Sequence, residues 1–268
     1  MTITSLDGVI AGMRPPEDFL KVGATMEAIG VHHSYAYTSG RPGAAVAPTP
    51  GLAGAALTSY NGQIPFVNPA LGNTYLARLA VCPSLAGCLI LYDRLWHNSG
   101  IVVTTLTAQT INSVAWPARD RDGTVNGENV RVGIEVSTAT TNAAAITNTT
   151  MSYTNQAGTA GRTATIASFP ATAVAGTFVP FQLQAGDTGV RSIQTITLGT
   201  SYGGGAIHLV AYRTLGRVEI SVANTGNAID SITGGFVRMY DNTVPFLLWL
   251  PTATTAVTVN GQLIYTQG

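Results

Sequence analysis

Ala206-Ile207-His208-Leu209-Val210-Ala211-Tyr212-Arg213 is the stretch that decides the fold. Ile207, Leu209 and Ala211 alternate with His208, Val210 and Tyr212. A period of two puts successive side chains on opposite faces of an extended strand, whereas a helix needs a period of 3.6. Upstream, Arg191-Ser192-Ile193-Gln194-Thr195-Ile196-Thr197-Leu198 follows the pattern less strictly, with Ile193, Ile196 and Leu198 set among Thr and Gln. Both read as half-buried strands with one polar or Thr-rich face.

Working outward, similar runs lie at 75–81, 88–96, 101–111, 130–138, 149–155, 162–168, 177–183, 217–222, 244–250 and 255–265, with turn residues between them. About twelve strands with no amphipathic helix between them leave no means of making parallel crossovers. The expectation is a mainly β chain whose body is an antiparallel β-sandwich, jelly-roll-like, with a short helical N-terminus and an extended arm. No fixed-period repeat is present.

The helical N-terminus rests on punctuation. Ser5 is placed to cap Leu6-Asp7-Gly8-Val9-Ile10-Ala11, and Pro15-Pro16-Glu17-Asp18 resembles the first turn of a second helix. Phe19, Leu20, Met26 and Ile29 would form the apolar stripe of that second helix, weakened by Gly23. From 39 to 73 the composition turns to Gly, Pro and Ala, as in Arg41-Pro42-Gly43-Ala44-Ala45-Val46-Ala47-Pro48-Thr49-Pro50-Gly51. No helix or regular strand fits, yet the stretch is too apolar for a solvated linker. It is either a loop wrapped on its own core or an arm that orders against a neighbouring subunit. The expected organisation is therefore N-terminal helices and arm over 1–73 and a β-sandwich domain over 74–268. Leu52, Leu57, Tyr60, Ile64 and Phe66 are the candidate interface residues, and deleting 1–73 is expected to leave a folded body that no longer attaches.

Charge bounds the function. The 268 residues include thirteen Lys plus Arg and thirteen Asp plus Glu, a charged fraction of 10%, against roughly 25% in ordinary soluble domains. Lys21 is the sole lysine. Net charge is zero and no basic stripe exists, so the counterion release that drives nucleic-acid binding has little to act on. No apolar run is long enough to span a bilayer as a helix, and Met1-Thr2-Ile3-Thr4-Ser5 lacks the pattern of a secretory signal. A surface of Thr, Ser, Asn, Gly and Ala dehydrates cheaply, because burying hydroxyls and small apolar groups costs far less than burying unpaired ions. Such a surface suits a protein packed against many neighbours.

The motifs that carry chemistry fail one by one. Gly199-Thr200-Ser201-Tyr202-Gly203 matches a nucleophile elbow, but a β-type run follows it where a helix is required, and no acid lies between it and His208. It reads as a turn. Asp120-Arg121-Asp122-Gly123-Thr124-Val125-Asn126-Gly127-Glu128 has the oxygen-rich flavour of a calcium loop, yet glycine stands at position four and Arg131 at position twelve. An exposed turn is expected, with a structural cation near Asp120 and Asp122 left open. His32 and His33 are adjacent and point apart on an extended segment. Cys82 and Cys88 fit neither zinc nor redox spacing and are expected to be free thiols, with a local disulfide as the alternative. Asp93-Arg94, charged inside the aromatic, apolar run Leu91-Tyr92-Asp93-Arg94-Leu95-Trp96, is expected to be salt-bridged or bonded to backbone. Tyr35, Tyr37, Tyr60, Tyr153, Tyr202, Tyr212 and Tyr240 could stack on sugars. No catalytic residue, metal ligand or cofactor site is assigned, and an enzyme is not expected.

Four segments carry a resemblance: Thr4-Ser5-Leu6-Asp7-Gly8-Val9-Ile10-Ala11-Gly12, Pro50-Gly51-Leu52-Ala53-Gly54-Ala55-Ala56-Leu57-Thr58-Ser59-Tyr60, Leu91-Tyr92-Asp93-Arg94-Leu95-Trp96-His97-Asn98-Ser99-Gly100, and Met151-Ser152-Tyr153-Thr154-Asn155-Gln156 through Gly161-Arg162-Thr163-Ala164. They resemble proteins encoded among the structural genes of tailed bacteriophages. The resemblance implies a virion component made in the host cytoplasm, of the kind that decorates or cements the head. Its partners would be further copies of itself and other virion proteins such as the major capsid protein. A tail component or a receptor-binding adhesin is the alternative, and an enzyme acting on host glycans stands behind both.

Overall fold

A computed structural model describes residues 3, 5–25, 28–235 and 237–268. Thr4 of the resemblance and Met26 of the expected stripe lie outside the described residues. The one α-helix among them, α1, spans Leu6–Ala11, and Ser5 Oγ accepts the Gly8 N–H at 3.2 Å, so the predicted cap is in place. The strands are β1 Glu17–Ala24, β2 His32–Ser34, β3 Gly40–Arg41, β4 Ala55–Ala56, β5 Thr74–Pro83, β6 Gly87–His97, β7 Gln109–Thr110, β8 Arg131–Thr138 and β9 Ile146–Asn155. They continue as β10 Arg162–Phe169, β11 Thr177–Pro180, β12 Val190–Thr197, β13 Ala206–Ile220, β14 Asn227–Asp230, β15 Arg238–Met239, β16 Pro245–Pro251 and β17 Val257–Gln267. The protein is mainly β and its sheets are antiparallel, with a short N-terminal helix.

The chain divides into two compact units along lines other than the expected boundary at 73. The first holds Met1–Val46, Ser59–Asp93 and Thr214–Gly268; the second holds Ala47–Thr58 and Arg94–Arg213. The segment 1–73 contributes to both.

In the second unit one sheet runs β10-β9-β12-β7, and in a second layer β8 pairs with β11 and with the first half of β13. Alternate residues of both layers point inward. Met151 and Tyr153 of β9, Ile193 and Ile196 of β12, Val132, Ile134 and Val136 of β8, and Ile207, Leu209 and Ala211 of β13 form one buried cluster. The alternation read in the opening stretch is therefore the inner face of a sandwich.

In the first unit a sheet runs β14-β5-β17-β1-β3, with β15 also on β5. Against it lie β16, which pairs with β2 and with residues of β6, and the second half of β13. Their cluster includes Phe19, Leu79, Val81, Leu89, Leu91, Leu215, Val218, Leu247, Trp249, Val259 and Leu263.

The expected second helix is a strand. Residues 17–24 pair with β17, Phe19 opposite Gly261, and Phe19 is 2% exposed. A Cβ at Gly261 would sit 2.5 Å from the Phe19 ring, so this glycine is what lets β1 lie in register. The prolines that mimicked a helix start precede an interior strand and the acids open it, and burial of Phe19 there outweighs local propensity. Lys21, beside Phe19 and 2% exposed, donates from Nζ to the carbonyls of Thr38, Pro42 and Gly43 at 3.4, 2.8 and 3.2 Å, which ties β1 to the start of the Gly/Pro/Ala stretch.

The expected strand at 101–111 is likewise reduced to β7. Gln109 bonds both backbone groups of Val102, at 2.8 and 3.0 Å, and so holds the segment as a closed loop. The run at 206–213 and residues 217–220 of the run at 217–222 are one strand, β13, continuous through Gly216.

Candidate functional site

The five candidate interface residues are all engaged with their own unit. In the second unit Leu57 is 6% exposed, its N–H donates to the Leu95 carbonyl at 2.9 Å, and its carbonyl accepts from Arg119 Nη1 at 2.8 Å. Leu52 packs on the same core. Close by, Gly54 at φ +71° lies against the Trp96 indole, whose Nε1–H donates to the Ala53 carbonyl at 3.1 Å. An added Cβ would meet that ring at 2.3 Å, so glycine is required on both grounds. In the first unit Ile64 is 1% exposed and its N–H donates to the Pro245 carbonyl. Tyr60 donates to the Val46 carbonyl at 2.8 Å and stands 6.4 Å from the Phe246 ring, while Phe66 packs on Tyr265 with ring centroids 5.4 Å apart. Of the two readings of 39–73, a loop wrapped on its own core describes these side chains.

The densest polar chemistry lies in the second unit and was only half visible in the sequence. Arg94, on β6, forms a two-pronged ion pair with Glu135 of β8: Nη1 to Oε1 at 2.9 Å and Nη2 to Oε2 at 2.7 Å, the side chains 1% and 0% exposed. Arg94 Nε donates to His97 Nδ1 at 3.2 Å. Burial first, with the Arg94 charge behind it, pushes the His97 imidazole down to about 3, so it is neutral at pH 7. Directly across from Glu135 stands His208 of β13, lowered mainly by its own burial.

His208 is held at both nitrogens. Its Nδ1 lies 2.9 Å from the Asn98 carbonyl and Nε2 lies 2.7 Å from Ser137 Oγ. The carbonyl can only accept, which sets the tautomer: Nδ1–H donates to Asn98, and Nε2 accepts from Ser137. Ser137 reaches that position because the β8–β13 register shifts between Ala206 and Ile207, leaving Ser137 as the extra residue of a bulge. Asn98 closes the cluster, its Oδ1 accepting the Leu209 N–H at 2.8 Å. The arrangement fastens three strands with charge-assisted and tautomer-specific bonds.

Asp93 and Arg94 each have a bonded partner elsewhere in the chain. Neighbours on a strand face opposite ways; Asp93 Oδ1 accepts the Val244 N–H at 2.9 Å, while Arg94 takes Glu135. The serine bonded to histidine is Ser137, not Ser201, whose Oγ accepts the Gly203 N–H.

The calcium-like loop is inverted in sign. Asp120, 1% exposed, accepts the N–H groups of Asp122, Thr124, Gly127 and Glu128 and the Thr124 hydroxyl, at 2.7–3.1 Å. Its lone pairs face donors, the opposite of what a cation needs. No cluster of three or more His, Cys, Asp or Glu suited to a metal occurs among the described residues. Asp187 shows the same economy: it accepts from Arg162, Tyr153 and Asn155, and the Arg162 bonds, ahead of the other two, hold its carboxyl down at about 2.

Tyr35, Tyr153, Tyr202 and Tyr212 are buried, which removes them as platforms for sugar stacking. His33 is buried and packs edge-on to Tyr35 at 5.6 Å. Both thiols are free, Cys88 buried and Cys82 half-buried. No helix among the described residues is long and apolar enough to cross a membrane.

No protein-family model matches the sequence, and no curated protein matches it. Among solved structures the chain is similar to the VP2 subviral particle of infectious bursal disease virus, at 12% identity and a TM-score of 0.20, covering 96% of this chain and 80% of that one. For the Gt strain of the same virus the values are 12%, 0.21, 94% and 81%. For its T13 viral particle they are 13%, 0.18, 96% and 78%.

Proposed function

We propose that this chain is a structural component of a virus particle and, more specifically, a protein that decorates or cements the head of a tailed bacteriophage. The observation that carries the reading is where the charges are. In a chain with so few, Lys21, Asp93, Arg94, Arg119, Asp120, Glu135 and Arg213 are buried, each at 3% exposure or less. Meanwhile Ile10, Ile29, Val46, Val67, Leu71 and Ile232 stay exposed, at 56% or more. A surface with few ions and scattered apolar side chains loses little on being covered by neighbours. At roughly 25 cal/mol per Å² of apolar area, contacts that are modest singly become strong when repeated around a shell.

The role is stabilisation and the reading assigns no reaction. Since Leu52, Leu57, Ile64 and Phe66 face their own cores, attachment would use exposed residues of the same stretch, Val46, Val67 and Leu71. The test is antibody labelling of intact particles viewed by electron microscopy. Label over the head is the expected result. Label confined to the tail, or particles without the protein, overturns it.

A further inference from the structure

The sheet of the first unit has an outer face, and across it lies an open groove of about 720 Å³. Its geometry follows from strand register. Ala80 lies beside Ala228 on one side and Gln262 on the other, and Gln262 lies beside Asp18. In the next row Cys82, Asn260, Leu20 and Arg41 are abreast. The small side chains of Ala80 and Ala228 make a flat floor, and the residues between these rows point the other way, into the core.

Arg41 and Arg78 stand at opposite corners. They are separated by three strand spacings of ~4.8 Å and four residues of ~3.3 Å, about 19 Å between Cα atoms. Both are exposed, and neither makes an ion pair or side-chain hydrogen bond among the described residues. Some of the other arginines are tied down, Arg94 by Glu135 and Arg162 by Asp187. The carboxylate nearest Arg78 in register, Asp230, is already engaged by the N–H groups of Ile232 and Thr233. Between Arg41 and Arg78, the Asn260 and Gln262 carboxamides have no side-chain partner among the described residues, and Asp18 offers a carboxylate.

Two separated guanidiniums match two separated carboxylates, not one phosphate. Carboxamides that both donate and accept match vicinal hydroxyls. The floor has no pocket for an apolar side-chain anchor, and the backbone of these inner strands is already paired, so strand addition by a peptide is closed. We propose that this groove binds an acidic oligosaccharide, with Arg41 and Arg78 each holding a uronate carboxylate and Asn260, Gln262 and Asp18 reading the hydroxyls between.

The test is titration calorimetry of the full chain with hexagalacturonate, its neutral methyl ester and hexaglutamate. The expected result is binding of hexagalacturonate that weakens with salt, with the ester and the peptide at least tenfold weaker. Arg41→Gln together with Arg78→Gln should cost at least tenfold and leave the thermal midpoint unchanged, because neither residue supports the fold. Bound saccharide should also slow alkylation of half-buried Cys82. Three results overturn the proposal: no binding of the uronate, equal binding of hexaglutamate, or unchanged affinity in the double variant. Because the assay uses isolated protein, its outcome is independent of where the chain sits on a particle.

Discussion

Replacing Glu135 by Gln should be among the most damaging single changes the fold can suffer. With the charge centres about 4 Å apart, the pair is worth ~4 kcal/mol at an effective dielectric of 20, which roughly offsets the several kcal/mol needed to dehydrate each ion. The intact pair therefore adds little net stability. Removing one partner leaves the other charge buried at 1% exposure, at a cost of about 3–5 kcal/mol. Arg94→Met should cost a similar amount at pH 7, while the double variant should recover to within about 2 kcal/mol of the parent, giving a coupling energy of at least ~3 kcal/mol. Urea unfolding at 25 °C measures all four corners.

His97 supplies a second signature. In the parent its folded pKa is about 3 against 6.5 unfolded, so the unfolded chain binds the proton between those values and stability falls as pH drops through that window. In Arg94→Met the lone Glu135 carboxylate faces His97 and His208, folded imidazole pKa values rise, and the trend reverses: stability is retained below 6.5 and lost as pH climbs. A single-variant loss below 1 kcal/mol, or additivity of the two losses, would refute the reasoning.

Asp120→Asn should lose about 3 kcal/mol, because a neutral amide cannot accept five hydrogen bonds and leaves backbone donors unsatisfied; the exposed neighbour change Asp122→Asn should leave the midpoint of the same denaturant series essentially unmoved. Asp187, with a folded pKa of about 2, contributes stability that is complete above the unfolded value and lost as pH falls toward 2; Asp187→Asn should lower stability by about 2 kcal/mol at pH 7 and flatten the pH 2–4 profile. Lys21 gives a slope of the same sign in a higher window: burial pushes its ammonium down to about 8, so the unfolded chain holds the proton longer and stability should rise with pH from about 8 to 10.5. In Lys21→Met that rise should vanish from thermal melts taken across the range.

Alternating apolar residues made β8, β9 and the first half of β13 legible, and β12 less cleanly because its register on β9 shifts twice; the expected polar face of 206–213 is itself buried, since His208, Val210 and Tyr212 are covered as well. β1 was not legible, because its partner is Gly261, some 240 residues away by numbering, and no local signal announces that a glycine will make room for Phe19. The short strands β2, β3, β4 and β15 are two or three residues long, too brief to show a period. At the site, scarcity of charge flagged Arg94 as buried and bonded. Its partner was out of reach, since Glu135 and His208 meet only through the register of β8 and β13, and Ser137 joins them only through a bulge. The retrievable signal was the histidine inside an alternating run: His208 stands among apolar residues on a strand, where a polar ring must find a partner.

Lys21 has one more consequence. Its ammonium is buried under three carbonyls, and no other lysine exists in the chain. Amine-directed cross-linkers and dyes will therefore find no accessible ε-amine on the folded protein, and blank maps from such reagents would say nothing about its neighbours. Contact mapping has to go through carboxylates or the half-buried thiol of Cys82, and any lysine added at a chosen surface position becomes a single addressable handle.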